Sequence, residues 1–386
     1  MRKVFSLAVL ALLLLSCRDE LVVTPGDEQQ VDSLRANVEY SGFYLLNEGN
    51  MGSNKATLDF FNFETGIYHK NIFATINPDV PKELGDVGND LKIYGARLYA
   101  VINASNKVEV MDARTARRLG QIDIPNCRYI SFHEGYAYIT SYAGPIEINP
   151  DYAQKGYVAK VDTATLQEVG RCLVGYQPDE LTCSGTKLYV ANSGGYMGAG
   201  STSGYEQSVS VIDLNSFEEE KRITVDYNLH RIRTDSRGDL WVSSRGDYIS
   251  RPSRLFVIDG KSETVIDSLD IATSNFCIAG DSLYSISVQW SYVSYTNEIT
   301  YAIVNTRTRE IVTRNFITDS TDMQIEMPYG ILVHPNTREV FVTDAGNYVS
   351  PGQLYCFDAS GKKKWNVQTG DIPAHLTLLT TTNSKK

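Results

Sequence analysis

Four oxygen-bearing residues, Glu48, Asn89, Asp90 and Asn192, and two histidines, His230 and His375, are the side chains of this sequence whose types could support chemistry. Carboxylate and amide oxygens suit a hard divalent ion, which would polarise a carbonyl or activate a water. Imidazoles suit zinc ligation or proton transfer. The spacing selects neither. The five histidines, at 69, 133, 230, 334 and 375, fall in separate segments, and no GxSxG, HExxH, P-loop or dinucleotide fingerprint is present. We therefore expect no catalytic residues, no metal and no catalytic cofactor, with the oxygen-donor quartet as the alternative.

A second group of residues is suited to recognition. Tyrosine (24) outnumbers phenylalanine (13). It gathers with Asn, Ser, Gly and Gln in six irregular segments, 48–55, 141–155, 193–207, 245–253, 289–298 and 346–352. These contribute Asn50, Met51, Tyr142, Tyr152, Tyr196, Met197, Tyr205, Tyr248, Trp290, Tyr292, Tyr295 and Tyr348. Rigid amphipathic rings supply contact area at low entropic cost while small polar residues adapt their hydrogen bonds, so this set predicts a binding face.

The elements that position these residues are announced by a repeated phrase of alternating apolar residues closed by Asp or Asn. The closing residues are Asn62, Asp112, Asp162, Asp213, Asp259, Asn305 and Asp358, at steps of 50, 50, 51, 46, 46 and 53 residues. The alternation, the β-branched and aromatic content and the Gly/Asn/Asp/Ser punctuation predict four antiparallel strands per copy. In the fourth copy these run over 179–183, 187–191, 209–213 and 221–225. The closing Asp or Asn is expected to accept amides of the turn that follows, a scaffolding role rather than a catalytic series. Seven such sheets predict an all-β, seven-bladed β-propeller, because ring closure protects strand edges that an open stack would expose. Residues 374–379 read as the first strand of a blade whose second strand is 42–47, so the C-terminal strand is expected to close the ring.

In such a blade the second-to-third loops and the blade-to-blade connections share one face. That face is expected to carry the Tyr-rich segments, with Asp86, Asn89, Arg128, Asp179, His230, Phe276, Tyr329 and His375 around the channel mouth. So mixed a set suits a bulky amphipathic ligand better than a phosphate or a metal ion.

Residues 1–16 read as a lipoprotein signal peptide: Arg2 and Lys3 precede an apolar stretch over 4–15 that is too short to span a bilayer comfortably. Leu14-Leu15-Ser16-Cys17 resembles the lipobox of bacterial lipoproteins, which implies cleavage before Cys17 and its lipidation. Residues 17–39 are then the anchor and a flexible linker, and 40–386 a single propeller domain. Arg18-Asp19-Glu20 is similar to the export tag of Bacteroidetes lipoproteins that face the cell exterior, which implies an outer-membrane, lipid-anchored location. Removing 1–16 takes two of the 36 basic residues and leaves 34 against 46 acidic, about −12. An acidic body without a Lys/Arg cluster argues against nucleic acid as a partner. The five remaining cysteines, at 127, 172, 183, 277 and 356, show no CxxC spacing and read as buried free thiols.

The blade grammar of 187–192 and 209–214 makes residues 40–380 similar to the YncE-like propellers. The lipobox, the acidic tag, the opening strand Phe43-Tyr44-Leu45-Leu46-Asn47-Glu48-Gly49-Asn50 and the Tyr-rich loops together resemble the BtuG family of Bacteroides surface lipoproteins. That resemblance implies capture of cobalamin and related corrinoids without turnover, and delivery to a TonB-dependent outer-membrane transporter. The expected ligand contacts come from loop geometry: Asn50, Met51, Asn89, Arg128, Tyr142, Tyr152, Tyr196, Tyr205, Tyr248, Phe276, Trp290, Tyr292, Tyr295, Tyr329, Tyr348 and His375. The alternatives are a lactonase-type propeller holding a divalent ion in its channel and a surface module that binds glycan or protein.

Overall fold

A computed structural model describes residues 27–35, 39–80, 84–146, 152–197, 204–248, 250–291 and 295–381. The signal peptide, Cys17 and Tyr292 lie outside the described residues. Seven antiparallel sheets follow one another around a ring, six of them with four strands each. The first blade is assembled from both ends of the domain. Strand Pro373–Thr380 lies innermost and pairs with Tyr40–Asn47, matching Leu46 with His375 and Phe43 with Leu378. The innermost strands of the other blades are Gly88–Tyr94, Cys127–His133, Pro178–Ser184, Leu229–Thr234, Asn275–Ala279 and Pro328–Val333.

All seven closing residues cap the turn that follows them, six of them in the same way. Asp162 Oδ1 accepts the amides of Ala164 and Thr165, both at 2.8 Å. Asn62, Asp112, Asp213, Asp259 and Asn305 repeat the arrangement, whereas Asp358 Oδ1 accepts the amides of Ser360 and Lys362, two and four residues on. Four residues beyond six of these caps the backbone turns left-handed, at Gly66, Ala116, Leu166, Phe217, Glu263 and Arg309, and the amide there donates to the carbonyl of the capping residue. The hydrogen bonds recovered offset the cost of a positive φ at five side-chain-bearing residues.

The core lies between blades rather than at the axis. Each sheet presents alternate residues to its two neighbours, so clusters such as Tyr99, Val110, Ile130 and Ile139 between the second and third blades are buried. A ring of aromatics, Phe43, Phe61, Phe63, Phe341 and Trp365, cements the junction of blades one and seven where the chain closes. The five propeller cysteines are all free thiols; Cys127, Cys172 and Cys356 are buried, and Cys183 and Cys277 are partly so.

Two segments differ from expectation. Within the expected linker, Glu28–Gln30 adds a fifth, outermost strand to blade one by pairing with Ile67–His69. Residues just after it are tied to blade seven: Arg35 Nη1 and Nη2 donate to Glu339 at 2.7 and 2.8 Å. Charges that read as solvated spacer instead meet complementary charges that arrive from the far end of the sequence. In the sixth blade, the expected loop 289–298 is largely a continuation of the hairpin Ser282–Ser291 and Thr296–Asn305, with Trp290 opposite Asn297.

Candidate functional site

The innermost strands begin on one face, and the second-to-third connections rise around them on that same face. They enclose a cavity of about 640 Å³ at the mouth of the central channel. Of the expected contacts, the ring brings Met51, Asn89, Arg128, Tyr196, Tyr248, Trp290 and Tyr329 together on its wall. Met51, Tyr196, Tyr248 and Trp290 form an exposed apolar rim, at 70%, 41%, 53% and 49% of full accessibility. Left unoccupied, such side chains keep wet apolar area that a ligand would cover.

The other expected contacts are placed differently. Phe276 is fully buried among Trp241, Leu255 and Leu283 between blades five and six, because its position on the innermost strand faces the neighbouring sheet rather than the channel. Tyr142 is also buried; its hydroxyl donates to Asp179 Oδ1 at 2.7 Å while its ring lies beneath the Arg128 guanidinium at 4.7 Å. It therefore supports the wall from behind. Tyr205 packs edge-on against Tyr248 and Tyr227, and Tyr348 against Tyr329, so both brace wall residues. Asn50 lies off the wall, and its carbonyl accepts the Ser53 amide within its own loop. Tyr152 and Tyr295 are highly exposed and lie outside the cavity. His375 faces a second, smaller cavity of about 250 Å³ further along the channel, and its Nε2 is 3.2 Å from Glu48 Oε1.

The four oxygen-donor residues do not converge. Glu48 and Asn89 face the upper cavity and Asp90 the lower. Asn192 is spent inside blade four on Ser208, Ser210 and the Gly175 amide. Asn89 Nδ2 donates to the Arg128 carbonyl at 2.6 Å and Asp90 Oδ2 accepts the Ile130 amide at 3.1 Å. Both thus stitch one innermost strand to the next. Among the described residues, no three His, Cys, Asp or Glu side chains are grouped to hold a metal ion.

The floor was not anticipated in full. Arg231 and Arg245 join Arg128 there, beside Tyr129 and His230. Asp179, fully buried, lies 3.8 Å from Arg128 Nε and 3.3 Å from Arg245 Nη1. Glu180 accepts the Ile232 amide at 2.9 Å and two contacts from Arg233. Burial raises the Glu180 pKa, but the charges of Arg233 and Arg231 outweigh it and hold the carboxyl below its usual range. Burial, reinforced by Arg245, Arg231 and Arg128, pushes the His230 imidazole well below its ordinary value, so it is neutral at pH 7. Its Nε2 meets the Tyr129 hydroxyl at 3.0 Å. The signal that could have found this floor is positional: Arg128, Glu180 and Arg231 all lie second or third in innermost strands.

Comparison with known proteins gives the family and the fold. The family described as "Domain of unknown function (DUF5074)" matches residues 41–374. No curated protein matches the chain. Among solved structures, the chain is similar to hydrazine synthase of Kuenenia stuttgartiensis, at 16% identity and TM-score 0.55, covering 70% of this chain and 76% of that one. It is also similar to a quinonprotein alcohol dehydrogenase-like protein of Bacteroides thetaiotaomicron, at 13% identity and TM-score 0.55, covering 89% and 79%. A protein of unknown function from Bacteroides caccae is 9% identical, with TM-score 0.45 over 88% and 99%.

Proposed function

The chain belongs to the DUF5074 family, and from that premise we propose that it captures a bulky amphipathic small molecule, of the corrinoid class, without turnover. The observation that carries this reading is the aromatic rim of Met51, Tyr196, Tyr248 and Trp290 around a cavity of about 640 Å³. Small-molecule sites are concave, mostly apolar and provided with a few fixed polar groups. A corrin offers broad apolar edges surrounded by amides, which match rings interspersed with Ser274, Ser287 and Gln289 on the same wall. Tyr142 and Tyr205 brace Tyr196 and Tyr248 of the rim from behind, and Tyr348 braces Tyr329 of the wall, so little ordering cost remains there at binding.

Anchored by a lipid on Cys17 at the outer membrane and facing outward, the propeller holds the corrinoid until a TonB-dependent transporter docks and takes it. Docking must weaken the grip, because a preorganised site otherwise releases slowly.

The test is calorimetric titration of the full-length protein in mild detergent with cyanocobalamin, beside the variant Tyr196→Ala/Tyr248→Ala/Trp290→Ala. Removing three rim aromatics is expected to weaken binding about 100-fold, equivalent to about 2.7 kcal/mol. Cooperative thermal unfolding should be retained, because all three are exposed. Undiminished binding by the folded variant would remove the rim from the site. Absence of binding by the wild-type protein would withdraw the corrinoid, and glycans, and lactones with a divalent ion, would be titrated next.

A further inference from the structure

The floor of the cavity holds more positive charge than the protein itself uses. Arg128 and Arg231 line it, yet among the described residues neither guanidinium makes a hydrogen bond. Their nearest carboxylates stand at 3.8 Å from Arg128 Nε and 4.0 Å from Arg231 Nη1, which is ionic contact without a shared proton. Arg128 Nε, Arg231 Nε and His230 Nδ1 are buried polar atoms with no partner. Arg231 and His230 are themselves 6% and 7% exposed. Buried polar groups in folded proteins are almost always paired, and an unpaired one points to an absent partner. Arginine cannot escape by releasing its proton, so the missing partner must accept hydrogen bonds from a cation.

Local carboxylates do not fill this role. Asp179 is occupied by the Tyr142 hydroxyl and Arg245. Glu180 is occupied by the Ile232 amide and Arg233. Glu48, on the wall, is within 3.2 Å of both the Tyr329 hydroxyl and His375 Nε2. Each acid is thus already committed, and the donors of Arg128 and Arg231 remain unspent around the Tyr129 ring, over which the Arg231 guanidinium sits at 5.0 Å.

We propose that Arg128 and Arg231 form a seat for an oxyanion carried by the ligand, a phosphodiester or a carboxylate, held by charge-assisted hydrogen bonds at the cavity floor while the aromatic rim holds its apolar body. This rests on the capture reading for the identity of the ligand, but not for the existence of the seat. It replaces the expectation that the channel mouth suits a phosphate poorly, which counted Arg128 without Arg231 and Arg245. Planar guanidinia match the geometry of phosphate and carboxylate oxygens, and burial makes the pairing less sensitive to salt than a surface contact.

The experiment uses the full-length wild-type protein, Arg231→Gln and, as a second variant, Arg128→Gln. Thermal unfolding is followed in inorganic phosphate and in acetate against chloride at constant ionic strength, and calorimetry compares cyanocobalamin, which carries a phosphodiester, with dicyanocobinamide, which lacks it. Phosphate should raise the wild-type Tm and leave that of either variant unchanged; a rise with acetate alone would assign the same seat to a carboxylate. If phosphate is the group, wild-type protein should prefer cyanocobalamin about 10- to 100-fold, the range of a hydrogen bond to a charged group, and the preference should collapse in Arg231→Gln. If neither corrinoid binds but an oxyanion still stabilises only the wild type, the capture reading falls and the seat stands. If both corrinoids bind alike with and without Arg231, and no oxyanion stabilises the wild type, the seat is overturned and capture stands.

Discussion

Replacing Glu339 by Gln should loosen the closure of the ring by an amount that the structure permits us to bound. Glu339 lies just before strand Val340–Asp344 of blade seven and accepts both Arg35 nitrogens, at 2.7 and 2.8 Å, and Lys364 Nζ at 2.6 Å. Asp32, bonded to Arg35 and 3.1 Å from Lys364 Nζ, completes the cluster. The side chains are 7% (Glu339), 11% (Asp32), 22% (Arg35) and 31% (Lys364) exposed, between the surface and the interior. Exposed pairs contribute about 0.2–1 kcal/mol, and breaking a buried one costs about 3–5, so about 2 kcal/mol is expected here. With an unfolding entropy of about 0.7 kcal/mol/K for about 340 residues, that is a Tm lower by about 3 °C. Burial raises the Asp32 pKa, but bonds from Arg35, Ser33 and Lys364 reverse it and hold the carboxyl at about 2; Glu339 is lowered by Arg35 and Lys364 in the same way. Both folded-state values lie below the unfolded ones, so their stabilisation is present above about pH 4 and lost as pH falls from there toward 2. Glu339→Gln should flatten that acid limb. The decisive assay is a double-mutant cycle of Arg35→Ala with Glu339→Ala, read by thermal unfolding, with proteolysis reporting release of the segment before residue 39. A coupling below about 0.3 kcal/mol would refute the argument that this cluster pins the segment to blade seven.

Two further outcomes discriminate between framework and site. Phe276→Ala should cost about 3–5 kcal/mol through the cavity it leaves, while corrinoid affinity measured by calorimetry stays within about twofold; a large affinity loss without destabilisation would place the ring in the site after all. His230 is held neutral by burial and by Arg245, Arg231 and Arg128, below the unfolded value near 6.5, so stability should be complete above pH 6.5 and fall as pH drops from there toward the folded value. Urea titrations between pH 5 and 7 should show a shallower fall in His230→Gln, with a remainder from His334, which burial also lowers; superimposable curves would contradict the placement of His230.

The architecture was legible because it is written seven times. Each capping Asp or Asn sits at the end of a period-two strand, and its two amide partners are local in sequence, so Asp162, Ala164 and Thr165 specify their turn without tertiary information. The closing strand was legible for a related reason: 374–379 and 42–47 are complementary fragments of one unit. The cavity rim was partly legible, since Tyr196, Tyr248 and Trp290 stand on connections that a rigid scaffold carries to one face. What failed was finer. Loop membership cannot tell whether a tyrosine faces the cavity, as Tyr248 does, or stands behind it, as Tyr205 does. Nor did the position of Phe276 at a channel-lining strand reveal that alternation turns it toward blade five.

The arginine floor was hidden by arithmetic as well as by distance. Arg128 belongs to blade three and Arg231 and Arg245 to blade five, over 100 residues later, and the chain as a whole carries a net charge of −10. Summed charge averages over the surface, whereas a site depends on which charges face one another after the ring closes. The same closure explains why the floor is informative. A guanidinium that served only the fold would be expected to donate its hydrogen bonds to neighbouring carboxylates, as Arg35 does to Glu339. Arg231 lies beside Glu180 at 4.0 Å without a hydrogen bond, while Arg233, two residues on, holds Glu180 at 3.1 Å. Of two arginines on one strand, then, one completes the ion pair and the other leaves its donors toward the cavity. Burying unspent donors lowers stability, which offsets the help that the Arg231 charge gives the Glu180 carboxylate, so Arg231→Met, which keeps the apolar stem and removes the charge, should lower the Tm far less than Arg233→Met. A fall as large as that of Arg233→Met would show that Arg231 supports the fold, and the contrast with Arg233 would then have no bearing on ligand binding.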